Sequence, residues 1–121
     1  MPFDRSYDNP EPTREEVDAW PGQTLLEFGA DWCPICQGAQ PFIESAVVNH
    51  PQVRHVKVSD GKGKPLGRSY KVKLWPTLIF LKDGREVARV VRPTTEGEVR
   101  EGLGERQEQI YPGRDQASVE A

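Results

Sequence analysis

The chain has 121 residues, a formal net charge of −3 and two cysteines. That length fits one domain that can bury a core without disulfide staples or a structural metal. The mildly acidic balance gives no electrostatic footprint for nucleic acid, and no run is long enough to span a bilayer.

The first residues, Met1-Pro2-Phe3-Asp4-Arg5, lead into polar text with no apolar segment of the secretory kind. Residues 1–12 are rich in Pro, Asp and Asn, have little to bury and are expected to form a flexible arm. Thr13-Arg14-Glu15-Glu16 is a capping box and predicts a short helix, ended by Pro21-Gly22. The run Thr24-Leu25-Leu26-Glu27-Phe28 predicts a strand over 24–29.

From Cys33 a helix is expected to about residue 49. Phe42, Ile43, Ala46 and Val47 recur at helical spacing, Pro51 closes the segment, and Pro41 inside it should kink it. Val53 to Val58 alternates apolar and polar residues, which predicts a half-buried strand with His55 on its solvent side. Residues 60–65 form a loop and 66–71 a short helix. Thr77 to Leu81 reads as a strand, Asp83-Gly84 as a hairpin turn, and 86–91 as the returning strand.

Thr95-Glu96-Gly97-Glu98 is a second capping box. It opens a last helix with Val99, Leu103 and Ile110 on one face, weakened by Gly102 and Gly104. Residues 111–121 read as a flexible tail, leaving 13–110 as the domain. The order is helix, strand, helix, strand, helix, hairpin, helix. A βαβ unit followed by a hairpin gives a mixed sheet in an α/β fold. The basic residues that gather from Arg54 to Lys73 read as a solvated face.

Both cysteines lie in Trp32-Cys33-Pro34-Ile35-Cys36, where the strand gives way to the helix. The thiolate is the reactive form of cysteine. An ordinary thiol has a pKa of about 8.5, and a helix N-terminus favours the anion. Cys33, at the helix start, is therefore the candidate nucleophile. Pro34 suits the first turn, which needs no donor there. Cys36, one turn on and more shielded, is the candidate resolver that releases a mixed disulfide. A structural disulfide so closely spaced would constrain little chain entropy. Such a lone pair in a chain without a leader implies a reducing, cytoplasmic setting.

Cys33, Cys36, His50 and His55 also match a zinc-finger spacing. Fingers of that type carry both histidines on one helix, whereas Pro51 follows His50 directly and His55 lies in a strand pattern. His50 reads instead as a helix-end cap, and no metal site is expected.

Phe28, Ala30, Trp32-Cys33-x-x-Cys36, Pro41, the block Trp75-Pro76-Thr77-Leu78 and the later Asp83-Gly84 turn resemble the thioredoxin family across roughly residues 13–110. The resemblance implies the thioredoxin fold, a central mixed sheet flanked by helices. It implies thiol–disulfide exchange on protein disulfides by a monomer, with no cofactor and with a thioredoxin-reductase-type electron donor. It places a cis Trp75–Pro76 bond beside Cys33, where the Trp75 backbone would pair with a substrate strand. It assigns substrate contact to Trp32, Pro34, Ile35, Trp75, Pro76 and Thr77.

By the same resemblance Glu27 is the buried acid behind Cys36. Burial would raise its pKa and let it take the Cys36 proton, with Lys57 as its partner.

The sequence departs from the family in several places. Pro-Ile stands between the cysteines where Gly-Pro is usual, and Gly29 replaces a tryptophan. Trp75 is bulkier than usual, and Arg92-Pro93 stands where a docking glycine is expected. These imply a partner surface unlike that of a general-purpose member. A dedicated disulfide oxidase or isomerase, or a binding or chaperone-like module with dispensable cysteines, remain the alternative readings.

Overall fold

A computed structural model describes residues 3–105. The elements run α1 (Arg14–Asp18), β1 (Gln23–Gly29), α2 (Pro34–Val47), β2 (Arg54–Ser59), α3 (Pro65–Ser69), β3 (Thr77–Lys82), β4 (Arg85–Val91) and α4 (Glu96–Gly102). The four strands form one sheet in the order β2-β1-β3-β4. β1 and β2 are parallel, while β1–β3 and β3–β4 are antiparallel. This is the mixed sheet expected from a βαβ unit followed by a hairpin.

Local chemistry sets the boundaries. Thr13 and Thr95 cap α1 and α4 through full capping boxes, with Glu16 and Glu98 reaching back to the cap backbone. α2 runs through Pro41 to Val47. β3 and β4 are joined by Asp83 and Gly84, both at positive φ (51° and 82°). That is the geometry a two-residue hairpin loop requires.

Helices cover both faces of the sheet, so β1 is buried almost throughout. Leu25, Leu78 and Phe80 pack with Ile43 and Val47 of α2 and Val99 of α4. On the other face Leu26, Phe28, Ile79 and Leu81 pack with Val17 of α1 and Leu66 of α3. Glu27, two residues after Leu25, lies on the α2 face by the strand's period of two. Among the described residues no helix is long and apolar enough to cross a membrane.

Three expectations meet a different structure. The N-terminal segment, read as having little to bury, is seated on the domain along residues 3–9. Tyr7 is 2% exposed, Phe3 packs on the core, and Asp4 and Asn9 bond the backbone N–H and C=O of Lys57. The side chains of Asp4, Arg5, Ser6 and Asn9 all find protein partners. His55, placed on the solvent side, is buried with Lys57 on the α2 face. The last helix ends at Gly102 with Leu103 as its cap; Ile110 and the tail lie outside the described residues.

Candidate active site

Cys33 is the N-cap of α2, with extended backbone, and Pro34 occupies the first turn. The Cys33 Sγ accepts a hydrogen bond from the Cys36 backbone N–H at 3.2 Å. That amide is one of the donors a helix start leaves without an internal partner. Both cysteines are free thiols. Cys33 keeps 6% exposure and Cys36 none, so an approaching sulfur meets Cys33 first.

An open groove of ≈ 430 Å³ leads to Cys33, bounded by Trp32, Pro34, Ile35, Lys73, Leu74, Trp75 and Arg92. Trp32 and Ile35 are well exposed, and Trp32 meets Trp75 edge to face with ring centroids 5.6 Å apart. The Trp75–Pro76 bond is cis. The Trp75 indole N–H donates to Asp60 Oδ2 (2.8 Å) and fixes the ring.

Two details of this rim differ from expectation. The Trp75 carbonyl, expected to await a substrate strand, already accepts from Arg92 Nε at 2.9 Å. Arg92 itself has φ 52°, the left-handed conformation that suits the glycine expected there. Thr77 is buried and gives its hydroxyl to the Leu74 carbonyl. It closes the turn around Pro76 instead of lining the groove.

Behind Cys36 lies a buried polar cluster. Glu27 is fully buried. Its Oε1 meets His55 Nε2 at 2.8 Å. Its Oε2 accepts from Gln40 Nε2 at 2.9 Å and from the Tyr7 hydroxyl. The Asp4 backbone N–H donates to His55 Nδ1 at 2.9 Å. Nδ1 must then be the acceptor nitrogen, which assigns the ring proton to Nε2 and makes His55 a donor to Glu27.

Lys57 faces Glu27 across the β1–β2 register, but the β2 side chain bonded to Glu27 is His55. The Lys57 ammonium donates to Gln40 Oε1 (2.9 Å) and lies 4.3 Å from the Tyr7 ring centroid. Lys57 therefore reaches Glu27 through the Gln40 amide. His50, at the other end of α2, bonds Glu105 at 2.6 Å.

The electrostatics correct a second expectation. Burial pushes the Glu27 carboxyl upward, yet the hydrogen bonds from His55, Gln40 and Tyr7 outweigh it and hold the group below the ordinary carboxylate value. Cys36 moves the other way. Burial, with the Cys33 sulfur beside it, pushes the thiol up to about 12. Burial and the neighbouring Glu27 charge also hold Tyr7 well above the usual phenol value. At neutral pH the cluster thus holds a carboxylate, a phenol and a thiol.

Tyr7, Gln40 and Asp4 were not singled out from the sequence, and His55 was read there as a solvent-facing strand residue rather than as a partner of Glu27. Gln40 sits four residues after Cys36 and so on the same helix face. His55 shares a strand face with Lys57 by the period of two. Both signals were available. Tyr7 and Asp4 gave none, because their partners lie 20 or more residues away.

The sequence model of the family described as Thioredoxin matches residues 8–105. The fold is similar to the reduced form of thioredoxin 2 from Pseudomonas aeruginosa PAO1, with TM-score 0.75 and 50% identity over 84% of this chain and 94% of that one. The chain is also 39% identical to a thioredoxin of Chlamydia pneumoniae over 70 residues, covering 58% of this chain and 69% of that protein. Thioredoxin H5 of Oryza sativa subsp. japonica is 31% identical over 88% of this chain and 73% of its own length.

Proposed function

The chain belongs to the thioredoxin family and is a thiol–disulfide oxidoreductase; from that premise we propose that it reduces protein disulfides, with Cys33 as nucleophile and Cys36 as resolver. The observation that carries this reading is the placement of Cys33 Sγ at the α2 N-terminus, within 3.2 Å of the Cys36 amide, at the foot of an apolar groove.

The Cys33 thiolate attacks one sulfur of a substrate disulfide, and the other sulfur leaves as a thiolate that takes a proton from water. Cys36 then attacks Cys33 Sγ. The Cys33–substrate bond breaks, the second substrate thiol departs, and a Cys33–Cys36 disulfide holds the two electron vacancies. A reductase of the thioredoxin-reductase type returns two electrons and two protons. The sulfurs carry both electrons, so the exchange asks for no metal or organic cofactor.

In this reading Trp32, Ile35 and Trp75 supply the apolar contact for the segment beside the substrate disulfide. Pro34 lines the groove, and Pro76, through its cis bond, sets the course of the backbone at Trp75. Thr77 acts on substrate only through the turn it closes. Glu27 accepts the Cys36 proton, and Lys57 orients Gln40 against it. The working unit is a monomer, the domain of residues 13–110 together with the seated segment 3–9, in a reducing, cytoplasmic compartment. A chain whose two cysteines form one exchange pair suits that setting. A dedicated oxidase or a redox-independent module is not favoured.

Insulin reduction driven by dithiothreitol tests the assignment. The unaltered protein should accelerate it, and Cys33→Ser should reduce the rate to background. Cys36→Ser should retain the first attack and trap substrates as mixed disulfides visible on non-reducing gels. A measured potential near about −270 mV fits the reductase, whereas one near about −120 mV would make the protein an oxidant. Undiminished activity in Cys33→Ser would end the proposal.

A further inference from the structure

We propose that the Tyr7 hydroxyl carries the proton of the resolving step, linking the Cys36 thiol to Glu27. This rests on the reading of Cys36 as resolver and adds a catalytic residue from outside the C-x-x-C segment.

The geometry places one hydroxyl between two reacting groups. Tyr7 is buried against Ala30, Cys33 and Cys36. Its hydroxyl bonds Glu27 Oε2 and lies beside the Cys36 thiol in the same buried cluster. Gly29 makes the meeting possible. A Cβ there would lie 2.7 Å from Cys36 Sγ and 2.8 Å from both Cζ and Oη of Tyr7. Such separations are closer than packed atoms tolerate, so any larger residue at 29 would force the thiol and the phenol aside. The missing side chain of β1 is the space the Tyr7 ring fills.

The ring is held in place by contacts on several sides. The Tyr7 backbone N–H and the Ser6 hydroxyl bond the two oxygens of Asp31, at 3.1 and 3.0 Å. Lys57 from β2 lies over the ring face. Gln40 from α2 approaches the hydroxyl at 3.4 Å, and His55 from β2 holds the far oxygen of Glu27.

Before resolution, Cys36 and Tyr7 are protonated and Glu27 is ionised. The phenol proton is held by Glu27, which leaves the Tyr7 oxygen to accept from the Cys36 thiol. As Cys36 sulfur bonds to Cys33 Sγ, the old bond breaks and its electron pair leaves on the substrate thiolate. A sulfur entering a disulfide becomes far more acidic than a free thiol, so even a weak base can receive its proton. The Cys36 proton passes to Tyr7 Oη while the proton of Tyr7 passes to Glu27 Oε2. The products are a neutral phenol, a neutral carboxyl and a new disulfide, and charge and protons balance. Glu27 later loses its proton to solvent.

The full-length reduced protein, mixed with 5,5′-dithiobis(2-nitrobenzoate) in a stopped-flow cell, separates the two steps. Cys33 releases the first nitrothiobenzoate and Cys36 the second. Tyr7→Phe keeps the ring and removes the hydroxyl. It should leave the first phase within about twofold and slow the second by about 10²-fold, the scale of general acid–base catalysis. The residual rate should climb with pH toward the ionisation of Cys36, where the unaltered protein is nearly flat.

Glu27→Gln should slow the same phase. In the unaltered protein D₂O should slow the second phase and spare the first, a readout that needs no variant. A second phase in Tyr7→Phe with unchanged rate and pH profile, or a second phase not slowed by D₂O, would overturn the relay. Loss of the first phase in the unaltered protein would instead remove the assignment of Cys33 on which the relay stands.

Discussion

Glu27 shows how one side chain sets the character of the site. A carboxylate cut off from water is costly unless every lone pair has a donor. Here His55, Gln40 and Tyr7 supply three donors. The result is a carboxyl whose folded pKa lies below its unfolded value of 4.5. Its contribution to stability is therefore complete above about pH 5 and is lost as pH falls through the folded value. Urea midpoints measured from about pH 7 down to 3 should fall for the unaltered protein and fall less for Glu27→Gln. Cys36 acts at the other end of the scale. Its folded pKa of about 12 exceeds its unfolded 9.0, so its contribution is intact below about 9 and declines from there upward.

At the scale of elements, the β3–β4 turn is the sharpest case of sequence dictating geometry. Gly84 has φ 82°, and a Cβ there would lie 2.0 Å from the Asp18 carbonyl oxygen. Asp83 also ties the turn to Gly22, donating its N–H to the Gly22 carbonyl and accepting the Gly22 N–H, each at 2.8 Å. Gly84→Ala should lower the unfolding free energy by about 1–3 kcal/mol, through strained φ and overpacking together, with little change in the Cys33 reaction; chemical denaturation measures the first and insulin reduction the second.

The elements legible beforehand share this property of local cause. The two capping boxes, the Asp-Gly turn and the cysteine at a helix start each follow from residues within a few positions. β2 was legible as a strand but not in its facing. His55 and Lys57 are polar, and polarity in an alternating strand suggests solvent. Here both faces of the sheet are covered, so the polar side points to buried partners on β1 and α2. The seating of residues 3–9 was illegible for the same reason carried further. Its anchoring groups on Asp4, Tyr7 and Asn9 find partners far along the chain, and composition records only that a group is polar.

The whole molecule owes part of its soundness to that N-terminal segment. β2 lies at one end of the sheet, so one row of its peptide groups has no neighbouring strand among the described residues. Asp4 Oδ2 receives the Lys57 N–H at 2.9 Å, and Asn9 Nδ2 gives to the Lys57 carbonyl at 3.3 Å. The double variant Asp4→Ala/Asn9→Ala should cost about 1–2 kcal/mol of stability, the worth of a pair of hydrogen bonds. The larger consequence concerns solubility: an unguarded sheet margin is a template on which a second chain can add a strand. Light scattering at rising concentration should find that variant associating where the unaltered protein stays monodisperse. A few polar side chains ahead of the first helix would then be a guard against amyloid-like growth as well as a clamp on the proton path.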